Sequence, residues 1–394
     1  MSRPMVPKTP IQPTIMFLAG DPSGDLHAAQ VVRRLREAWA SCVCVGIGGP
    51  AMQAEGFRPI LPFGPFNRMG FAEVFAHLPF FLSARRRIVG ILKKQRPSAL
   101  VCVDYPGFNI PLMKIARRLG VPVIWYIVPQ VWAWKKKRAA VLARYASFIG
   151  TVFPFEVPIF AEHGAEVRFV GHPLVEALDK RQDAASADAQ ARADRHARRA
   201  LRLAIVPGSR VQEIRHMLAP MIEAWRILKA RFPAMTAAVS RYAGLPAGLF
   251  AGAGDVEMFD GPLDDLLARS DLALVTSGTA TLQTALHGVP LAIAYRTSGA
   301  TFALLRQLVK LPCIGLPNIV AGKKIVPECI QAGVTGEKLA ESVRPLIESR
   351  GDYFRTVEDL LRLREKLGSK KPSEEIAQAI IRAAGAASDN ARDL

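Results

Sequence analysis

The chain is poor in cysteine and lacks the long apolar runs of membrane-spanning proteins. Its 394 residues include five cysteines, and no two of them have the C-x-x-C spacing of metal or redox sites. No segment reaches the roughly 18 apolar residues that a spanning helix needs, and the early run "TIMFLAG" is too short for the core of a signal peptide. We therefore expect a reducing, cytoplasmic environment, no structural metal, and no helix that crosses a membrane.

Acidic residues are also scarce. The sequence has 34 Asp and Glu against 52 Lys and Arg, which gives a formal net charge of +18. Such an excess favours an anionic partner, and nucleic acid, a membrane surface and a phosphorylated substrate all meet that description. Charge alone does not choose among these three. The 50% hydrophobic content supplies a large core and excludes fibrous and disordered classes.

Short apolar runs alternate with amphipathic segments along most of the chain. The runs "TIMFLAG", "CVCVGIGG", "ALVCVDYPG" and "VPVIWYIV" form one series, and a second series begins at "LRLAIVPGSR". This alternation predicts an α/β protein with two Rossmann-like doubly wound parallel-sheet domains that face each other across a cleft. We expect these domains over residues 1–180 and 201–365. Residues 181–200 are predicted to be a solvated linker, and residues 366–394 a helical tail long enough to pack back on the N-terminal domain.

Two strand–helix junctions in the first half of the chain carry carboxylates. Ligands of open α/β sheets bind at the carboxyl ends of the strands. In "AGDPSGD", Asp21 and Ser23 can contact a ligand beside Gly24, although an ordinary turn with Asp25 as a helix cap explains the motif equally well. In "VDYPGFN", Asp104 ends an apolar strand where a general base is useful, and a turn or capping role is the more common alternative.

Two junctions in the second half suit phosphate. In "VPGSRVQE", a tight turn at Gly208 precedes a helix that Ser209 and Gln212 are predicted to cap. Arg210 lies at this helix start, where free N–H groups and a guanidinium suit a phosphate, and a plain surface arginine is the alternative. In "VTSGTATLQ", hydroxyls and backbone donors at another helix start predict a diphosphate site, without GxGxxG or Walker A spacing. This last set comprises Ser277, Gly278, Thr279 and Thr281.

Two segments combine aromatic residues with clusters of cations. "FNRMGFAEVFAHLPFFLSARRR" suits an interfacial helix or an acyl-chain groove, and a core helix with a basic solvated end is the more common alternative. "VPQVWAWKKKR" joins two tryptophans to consecutive cations, as at interfaces with anionic head groups. Neither segment carries a nucleic-acid-binding signature. The candidate acceptor or membrane residues are Met69, Phe71, Phe75, Phe80, Phe81, Arg85, Arg86, Arg87, Trp132, Trp134, Lys135 and Lys136.

Ten motifs that follow one another along the chain carry a family resemblance. They are "AGDPSGDLHAA", "GIGGPAMQAEGF", "MGFAEVF", "VDYPGFN", "VWAWKKKR", "FPFE", "VGHPLVE", "VPGSR", "SGTATLQ" and "LPNIVAGKKIVPE". From about Thr14 to about Arg382, the sequence resembles the lipid-A-disaccharide synthases, the membrane-associated glycosyltransferases of lipopolysaccharide assembly. Each motif is weak alone, whereas ten in this order are specific.

The resemblance implies a GT-B fold and an inverting transfer. A 2,3-diacylglucosamine unit would pass from its UDP conjugate to 2,3-diacylglucosamine 1-phosphate, and the products would be the β-1,6-linked disaccharide 1-phosphate and UDP. No metal or other cofactor and no nucleic acid are implied. The protein is expected at the cytoplasmic face of the inner membrane as a peripheral protein on an anionic surface. The oligomeric state stays open, with a homodimer as one alternative.

The resemblance also implies roles for single residues. Asp104 matches an aspartate favoured as the base or acceptor-orienting group, and Arg210 matches an arginine near the UDP phosphates. Asn318 and Glu328 match polar positions of the donor site, and Ser23 matches a glycine-rich loop of the N-terminal domain. Further matches are Gly24 in that loop and residues 277–281 in the C-terminal nucleotide loop.

Three positions depart from the family pattern. Asp21 replaces a usual glutamate, Gly107 stands where a second aspartate is frequent, and Gln283 replaces a glutamate. Gln283 can still hydrogen-bond a ribose hydroxyl, but only as a neutral amide. None of the departures removes the proposed base or the phosphate arginine. Two alternatives stay open: another GT-B enzyme, either a sugar-nucleotide epimerase or a glycosyltransferase with a different lipid acceptor, and, remotely, a nucleic-acid-binding protein.

Overall fold

The chain folds into two units, each built on its own parallel sheet. The structure is a computed structural model that describes residues 12–66, 78–132, 137–179, 188–242, 244–297 and 312–390. The chain leaves the first unit after Glu176 and returns to it at Ser369. The first unit therefore combines the N-terminal part of the chain with its C-terminal tail.

The sheet of the first unit is entirely parallel. Its strands are β1 (Thr14–Ala19), β2 (Val43–Ile47), β3 (Arg58–Pro59), β4 (Ala99–Val103), β5 (Val123–Tyr126), β6 (Phe148–Thr151) and β7 (Val167–Phe169). They lie in the order β3-β2-β1-β4-β5-β6-β7. Every residue of β4, β5 and β6 is buried, which explains why the sequences of these strands are nearly continuous apolar runs.

Helices follow the strands of this unit in alternation. They are α1 (Pro22–Ala38), α2 (Pro50–Ala54), α3 (Leu78–Gln95), α4 (Pro106–Arg118), α5 (Lys137–Tyr145), α6 (Val157–Ala161) and α7 (Pro173–Asp179). In α1, Pro22 occupies the first turn, and the buried positions between Ala28 and Leu35 recur at helical spacing.

The second unit repeats this arrangement. Its strands are β8 (Arg202–Val206), β9 (Thr236–Ser240), β10 (Glu257–Phe259), β11 (Leu272–Thr276), β12 (Leu291–Tyr295) and β13 (Glu328–Ile330), in the order β10-β9-β8-β11-β12-β13. Its helices are α8 (Asp188–Ala197), α9 (Val211–Arg231), α10 (Leu263–Ala268), α11 (Thr279–Leu286), α12 (Leu316–Ala321), α13 (Gly336–Glu348) and α14 (Arg350–Leu367).

Both sheets reverse their strand order at one point. The reversal lies between β1 and β4 in the first unit and between β8 and β11 in the second. The paired strands end level with each other, because Ala19 pairs with Val103 and Val206 pairs with Val275. Ligands of open α/β sheets bind beyond the carboxyl ends of the strands at such a switch point.

Part of the predicted linker is an ordered helix. Residues 188–197 form α8, and Arg195 of this helix makes a two-point ion pair with the fully buried Asp271, with N···O distances of 2.8 and 2.6 Å. The second Asp271 oxygen also accepts from the backbone N–H of Arg202 at 2.9 Å. The composition of 181–200 gave no sign of this contact, because Asp271 is distant in sequence.

The C-terminal tail forms α15 (Pro372–Asn390) and packs on the first unit. The backbone N–H of Ser373 donates to the buried carboxylate of Glu176 at 3.1 Å, and Arg34 pairs with Glu374 at 3.1 Å. A Cβ atom added to Gly150 would lie 2.4 Å from Cδ1 of the fully buried Ile376. Glycine at position 150 is therefore required for close approach of the tail to β6.

This contact gives a stability prediction. Gly150→Ala should lower the free energy of unfolding by about 1–3 kcal/mol through overpacking, measured by chemical denaturation. Ile376→Val removes the clashing Cδ1 atom, so the double variant should be more stable than Gly150→Ala alone. The control is Gly90→Ala, since no atom lies within 4 Å of an added Cβ there. Additive effects of the two substitutions would contradict the described docking of α15.

Candidate active site

Two carboxylates lie at the switch point of the first sheet. Asp21 follows β1 and caps α1, where its Oδ1 accepts from the backbone N–H of Gly24 at 2.7 Å. Asp104 follows the neighbouring strand β4. A Cβ on Gly24 would lie 2.5 Å from Asp21 Oδ1, so the glycine of this loop makes room for the carboxylate. The structure thus places Asp21 and Asp104 at the ends of adjacent strands, close enough for the charge of Asp21 to act on Asp104.

The backbone at Asp104 is strained and firmly held. Asp104 and Tyr105 have φ values of 43° and 54°, in the left-handed region that non-glycine residues seldom adopt. The buried Asn109 amide donates to the carbonyl oxygens of Asp104 at 2.8 Å and Leu18 at 3.2 Å. The ring of Tyr105 lies 3.2 Å from the Cβ position of Gly20. Such strain persists only where the surroundings impose it, and it concentrates at functional sites.

The surroundings of Asp104 bring its titration close to neutral pH. Burial raises the pKa of the Asp104 carboxyl to about 7, and the charge of Asp21 acts in the same direction. A backbone hydrogen bond from Tyr105 and the charge of Arg138 lower this pKa, but they do not outweigh the burial. A general base works best when its pKa lies near the working pH. Asp104 is therefore poised to accept a proton.

Glu156 is a third acid near this point, and the sequence analysis gave it no role. It is 1% exposed, and it accepts from the indole N–H of Trp132 at 3.1 Å and from the backbone N–H of Phe153 at 3.2 Å. Burial raises its pKa to about 8, and the charge of Asp104 contributes to the rise. The only sequence signal was a glutamate within the apolar run "FPFEVP". Trp132 was predicted to lie at a membrane interface. In the structure, its indole N–H instead donates to the buried Glu156.

Ser23 contacts His27, which in turn acts electrostatically on His172, and no role was predicted for either histidine from the sequence. Its Oγ lies 3.2 Å from Nε2 of His27. Burial lowers the pKa of His27 to about 4 and that of His172 to about 3, so both rings are neutral at physiological pH. Nδ1 of His172 accepts from the backbone N–H of Leu174 at 3.2 Å. A neutral histidine thus holds the Ser23 hydroxyl without adding charge.

Asp25 is a cap, but of a different helix from the predicted one. Its carboxylate accepts from the backbone N–H groups of Gly49, Ala51 and Met52 at 2.7, 3.0 and 3.1 Å, all at the start of α2. A Cβ on Gly49 would lie 2.5 Å from this carboxylate. The motifs "AGDPSGD" and "GIGGP" are therefore parts of one structural contact.

The predicted acceptor or membrane residues divide into two groups. Phe80 and Phe81 are half-buried and pack edge-on against Phe66, with ring centroids 5.1 and 5.6 Å away. Leu78 and Leu82 of the same helix are 47% and 45% exposed. Arg85, Arg86 and Arg87 are exposed as well. Outside the described residues lie Met69, Phe71, Phe75, Trp134, Lys135 and Lys136.

In the second unit, the loop after β8 is capped differently from the prediction. The helix begins one residue later than expected, with Arg210 in the cap position, and Glu213 replaces Gln212 in the capping role. Oε2 of Glu213 accepts from the backbone N–H groups of Ser209 at 2.9 Å and Arg210 at 3.2 Å. Gly208 has φ 120°, and a Cβ there would lie 2.5 Å from the same oxygen. The predicted free N–H donors at Ser209 and Arg210 are thus occupied by Glu213.

The loop after β11 presents only part of its predicted donor set. Gly278 and Thr279 are exposed and Ser277 is half-buried, whereas the Thr281 hydroxyl is buried and donates to the Gly278 carbonyl at 2.7 Å. Thr276 Oγ1 is buried and has no hydrogen-bond partner among the described residues. An unpaired buried hydroxyl costs about 1–3 kcal/mol, and this one lies directly at the strand end.

Gln283 has a protein partner in this structure. Its amide nitrogen donates to Asp264 Oδ1 at 2.7 Å, and Nε2 of His287 lies 2.9 Å from the same oxygen. The departure from glutamate at this position is therefore matched by a carboxylate on α10. The expectation that the Gln283 amide is directed at a ribose is not needed to explain the residue.

Asn318 and Glu328 organise the loop between α12 and β13. The Asn318 amide is fully engaged: its nitrogen donates to Val326 O at 2.9 Å and Glu328 Oε1 at 2.8 Å, and its oxygen accepts from the N–H groups of Ile325 and Val326. Glu328 also accepts from the backbone N–H of Gly315 at 2.9 Å. In this geometry both residues shape the loop, and Asn318 has no capacity left for a ligand.

Comparison with known proteins decides which family has this arrangement. The model of the lipid-A-disaccharide synthetase family matches residues 15–380. The lipid-A-disaccharide synthases of Geobacter metallireducens and Pseudomonas aeruginosa are 34% and 32% identical over 376 and 382 residues. These alignments cover 94% and 93% of this chain and 97% and 98% of the relatives. The chain belongs to the lipid-A-disaccharide synthase family.

Solved structures support the predicted GT-B fold of this synthase family member. The UDP-GlcNAc 2-epimerase from Neisseria meningitidis bound to UDP-GlcNAc aligns with a TM-score of 0.61 at 11% identity, over 94% of this chain and 99% of its own. The glycosyltransferase of kitacinnamycin aligns with a TM-score of 0.61 at 16% identity, over 95% of this chain and 100% of its own. These likenesses establish the fold alone.

As a lipid-A-disaccharide synthase family member, the chain is a glycosyltransferase that uses a UDP-sugar donor. Within the described residues, no helix is long and apolar enough to cross a membrane. The same residues contain no group of three or more His, Cys, Asp or Glu placed to hold a metal ion. At Gly107, where the family resemblance leads one to expect an aspartate, an added Cβ meets no atom within 4 Å. Packing therefore does not force the glycine at that position.

The Gln283 contact can be tested by restoring the family residue. Gln283→Glu places a second carboxylate against Asp264, and we expect a loss of about 1–3 kcal/mol of unfolding free energy at neutral pH. Asp264→Asn in the same chain should restore stability, because the like charges are removed. Gln53→Glu, at an exposed site on α2, serves as the control. An unchanged denaturation midpoint in Gln283→Glu would contradict the Asp264 contact. It would favour the earlier prediction that Gln283 contacts the donor.

The titration of Asp104 predicts a pH-dependent stability. The folded pKa of Asp104, about 7, lies above the unfolded value near 3.8. Its contribution to the free energy of unfolding is therefore fully present below pH 4 and is lost as the pH rises through 7. Asp104→Asn stays neutral and tolerates the left-handed backbone. It should therefore be more stable than the parent protein at pH 8, by about 4 kcal/mol, and gain almost nothing at pH 4. Equal gains at both pH values in thermal unfolding would contradict the raised pKa.

Proposed function

We propose that this chain transfers 2,3-diacylglucosamine from its UDP conjugate to O6 of 2,3-diacylglucosamine 1-phosphate, with inversion at the anomeric carbon. The acceptor oxygen attacks C1 of the donor sugar, the O6–C1 bond forms, and the bond from C1 to the diphosphate breaks. The electron pair leaves with UDP, and the O6 proton passes to a base. The observation that carries this proposal is Asp104 at the sheet switch point. Its backbone is strained, and its carboxyl has a pKa of about 7.

Asp104 acts as the base in this proposal. As the carboxylate, it accepts the O6 proton while the oxygen attacks. Asp21 keeps the pKa of Asp104 raised and, with Ser23, contacts the acceptor sugar. The strained turn fixes the direction of the carboxylate, and this orientation removes part of the entropic barrier of a two-substrate reaction.

The second unit supplies the diphosphate site. The exposed Gly278 and Thr279 begin α11, where backbone N–H groups and the helix dipole favour an anion. The Arg210 side chain is 66% exposed and pairs with Glu213 at 3.1 Å. An exposed ion pair contributes little, so the guanidinium can turn to the departing diphosphate at small cost. The Thr276 hydroxyl at the end of β11 has no hydrogen-bond partner among the described residues. This supports a loop whose hydrogen bonds are completed when the donor binds.

Helix α3 is the surface through which the protein contacts the membrane that holds both lipid substrates. Leu78 and Leu82 expose apolar side chains one turn apart, and Arg85, Arg86 and Arg87 follow on the next turn. Apolar insertion combined with attraction to anionic head groups characterises interfacial helices. The protein would then be peripheral at the cytoplasmic face of the membrane.

The test is the reaction itself. Purified protein is incubated with both lipid substrates, and disaccharide 1-phosphate and UDP are quantified at pH 5–9, with and without a chelator. The rate constant should fall about tenfold per pH unit below pH 7, as the base becomes protonated. Asp104→Asn should lose at least about 100-fold in turnover and keep its affinity for UDP. Asp255→Asn, an exposed aspartate of the second unit, is the matched control.

Each outcome separates one part of the proposal. If no disaccharide forms, the reaction is wrong. If Asp104→Asn turns over normally, or if the rate is level between pH 5 and 8, Asp104 is not the base. Loss of activity with the chelator contradicts only the metal-free mechanism.

A further inference from the structure

A cationic groove lies beside the base in the first unit. It has a volume of about 330 Å³ and runs between the N-terminal halves of α4 and α5. Its lining comprises Pro106, Gly107, Ile110, Pro111, Lys114, Lys137, Arg138 and Val141. The α4 positions recur at intervals of three and four residues, so they form one face of that helix.

The groove combines an apolar floor with three cations. Ile110, Pro111 and Val141 supply the floor, whereas Lys114, Lys137 and Arg138 supply positive charge, and none of the eight described lining residues is acidic. Lys114 Nζ lies 5.6 Å from the centre of the Tyr145 ring, a contact that holds the ammonium while leaving its hydrogen-bond donors available. The groove therefore presents a positive and partly apolar surface to an anion that enters it.

The backbone adds to this positive field. The first turns of α4 and α5 both line the groove, and each carries the positive end of a helix dipole. Gly107 is exposed within the first turn of α4, with no atom within 4 Å of an added Cβ. This chain therefore brings no carboxylate of its own into the groove at that position.

Arg138 connects the groove to the base. It lines the groove, and its charge and that of Asp104 act on each other. Asp104 and Gly107 are separated by one turn of chain. A sugar whose hydroxyl reaches Asp104 therefore places its far end near the groove.

We infer that this groove binds the phosphomonoester of the acceptor sugar, with Lys114, Lys137 and Arg138 as its ligands. The inference rests on the proposed function, because it assigns the phosphate of the same acceptor whose hydroxyl meets Asp104. Phosphate suits a cluster of ammonium and guanidinium donors at helix starts. An anionic lipid head group carries the same chemistry, and the experiment separates these two sources.

The experiment is a double-mutant cycle between protein and substrate. Lys114→Met and Lys137→Met keep the apolar stem and remove the charge. The KM of the 1-phosphorylated acceptor should rise about 10- to 100-fold in each variant, while the KM of the UDP donor stays unchanged. With an acceptor that lacks the phosphate, parent and variant proteins should have equal KM values. Lys94→Met, an exposed cation on α3, should behave as the parent protein with both acceptors.

Position 107 gives a second, charge-specific test. Gly107→Asp adds a carboxylate to the groove, and Gly107→Asn adds nearly the same volume without charge. Gly107→Asp should raise the KM of the phosphorylated acceptor at least tenfold more than Gly107→Asn does. Thermal unfolding checks that both variants fold.

The outcomes separate the inference from the proposed function. A KM effect of equal size with and without the acceptor phosphate, joined by weaker cosedimentation with phosphatidylglycerol vesicles, would assign the groove to head groups and overturn the inference. If all variants form disaccharide normally and have the same acceptor KM as the parent protein, the inference is overturned as well. The proposed function would still stand. If no disaccharide forms, binding of glucosamine 1-phosphate to Asp104→Asn, followed by ligand-observed NMR, still tests the groove. Binding that is lost in Lys114→Met supports the inference, and binding that is kept overturns it.

Discussion

Backbone N–H groups left open at strand ends and helix starts are the constraint on which this structure depends, and carboxylates satisfy many of them. A parallel sheet followed by helices produces such donors at every junction. At least eight acidic side chains accept from backbone N–H groups: Asp21, Asp25, Glu156, Glu176, Glu213, Glu223, Asp271 and Glu328. These eight are drawn from only 34 acidic residues in the chain, so a substantial share of its acids has a structural role.

Asp104 shows how the same interaction can be tuned toward chemistry. Like the structural acids, it receives a backbone hydrogen bond, from Tyr105, and this bond lowers its pKa. Burial and the nearby charge of Asp21 act in the opposite direction and prevail, since its pKa rises to about 7. Asp25, in contrast, has three backbone donors on one carboxylate. Asp25 and Asp104 thus differ in role because they differ in the number of backbone donors they receive and in their neighbouring charges.

The sequence predicted what depends on local pattern. Apolar runs and helix periodicity were enough for two doubly wound sheets, and the strand-end rule was enough to place Asp21 and Asp104 at the carboxyl ends of β1 and β4. What failed depends on contacts between distant residues or on a shift of one position. Gln212 and Glu213 both fit a capping box, and only the three-dimensional path of the turn selects Glu213. The partner of Gln283 lies 19 residues away on another helix, and no periodicity reveals it.

The site also explains why the rigid surroundings of Asp104 are needed. A carboxyl with a raised pKa, on a backbone in the left-handed region, costs folding free energy at neutral pH. That cost can persist only if other contacts exceed it. Asn109 supplies them by bonding two strand ends through one buried amide, and the α15 tail adds packing on β6 from the far end of the chain. Stability from distant elements thus maintains a local arrangement that would otherwise relax, and the relaxation would remove the orientation on which proton transfer depends.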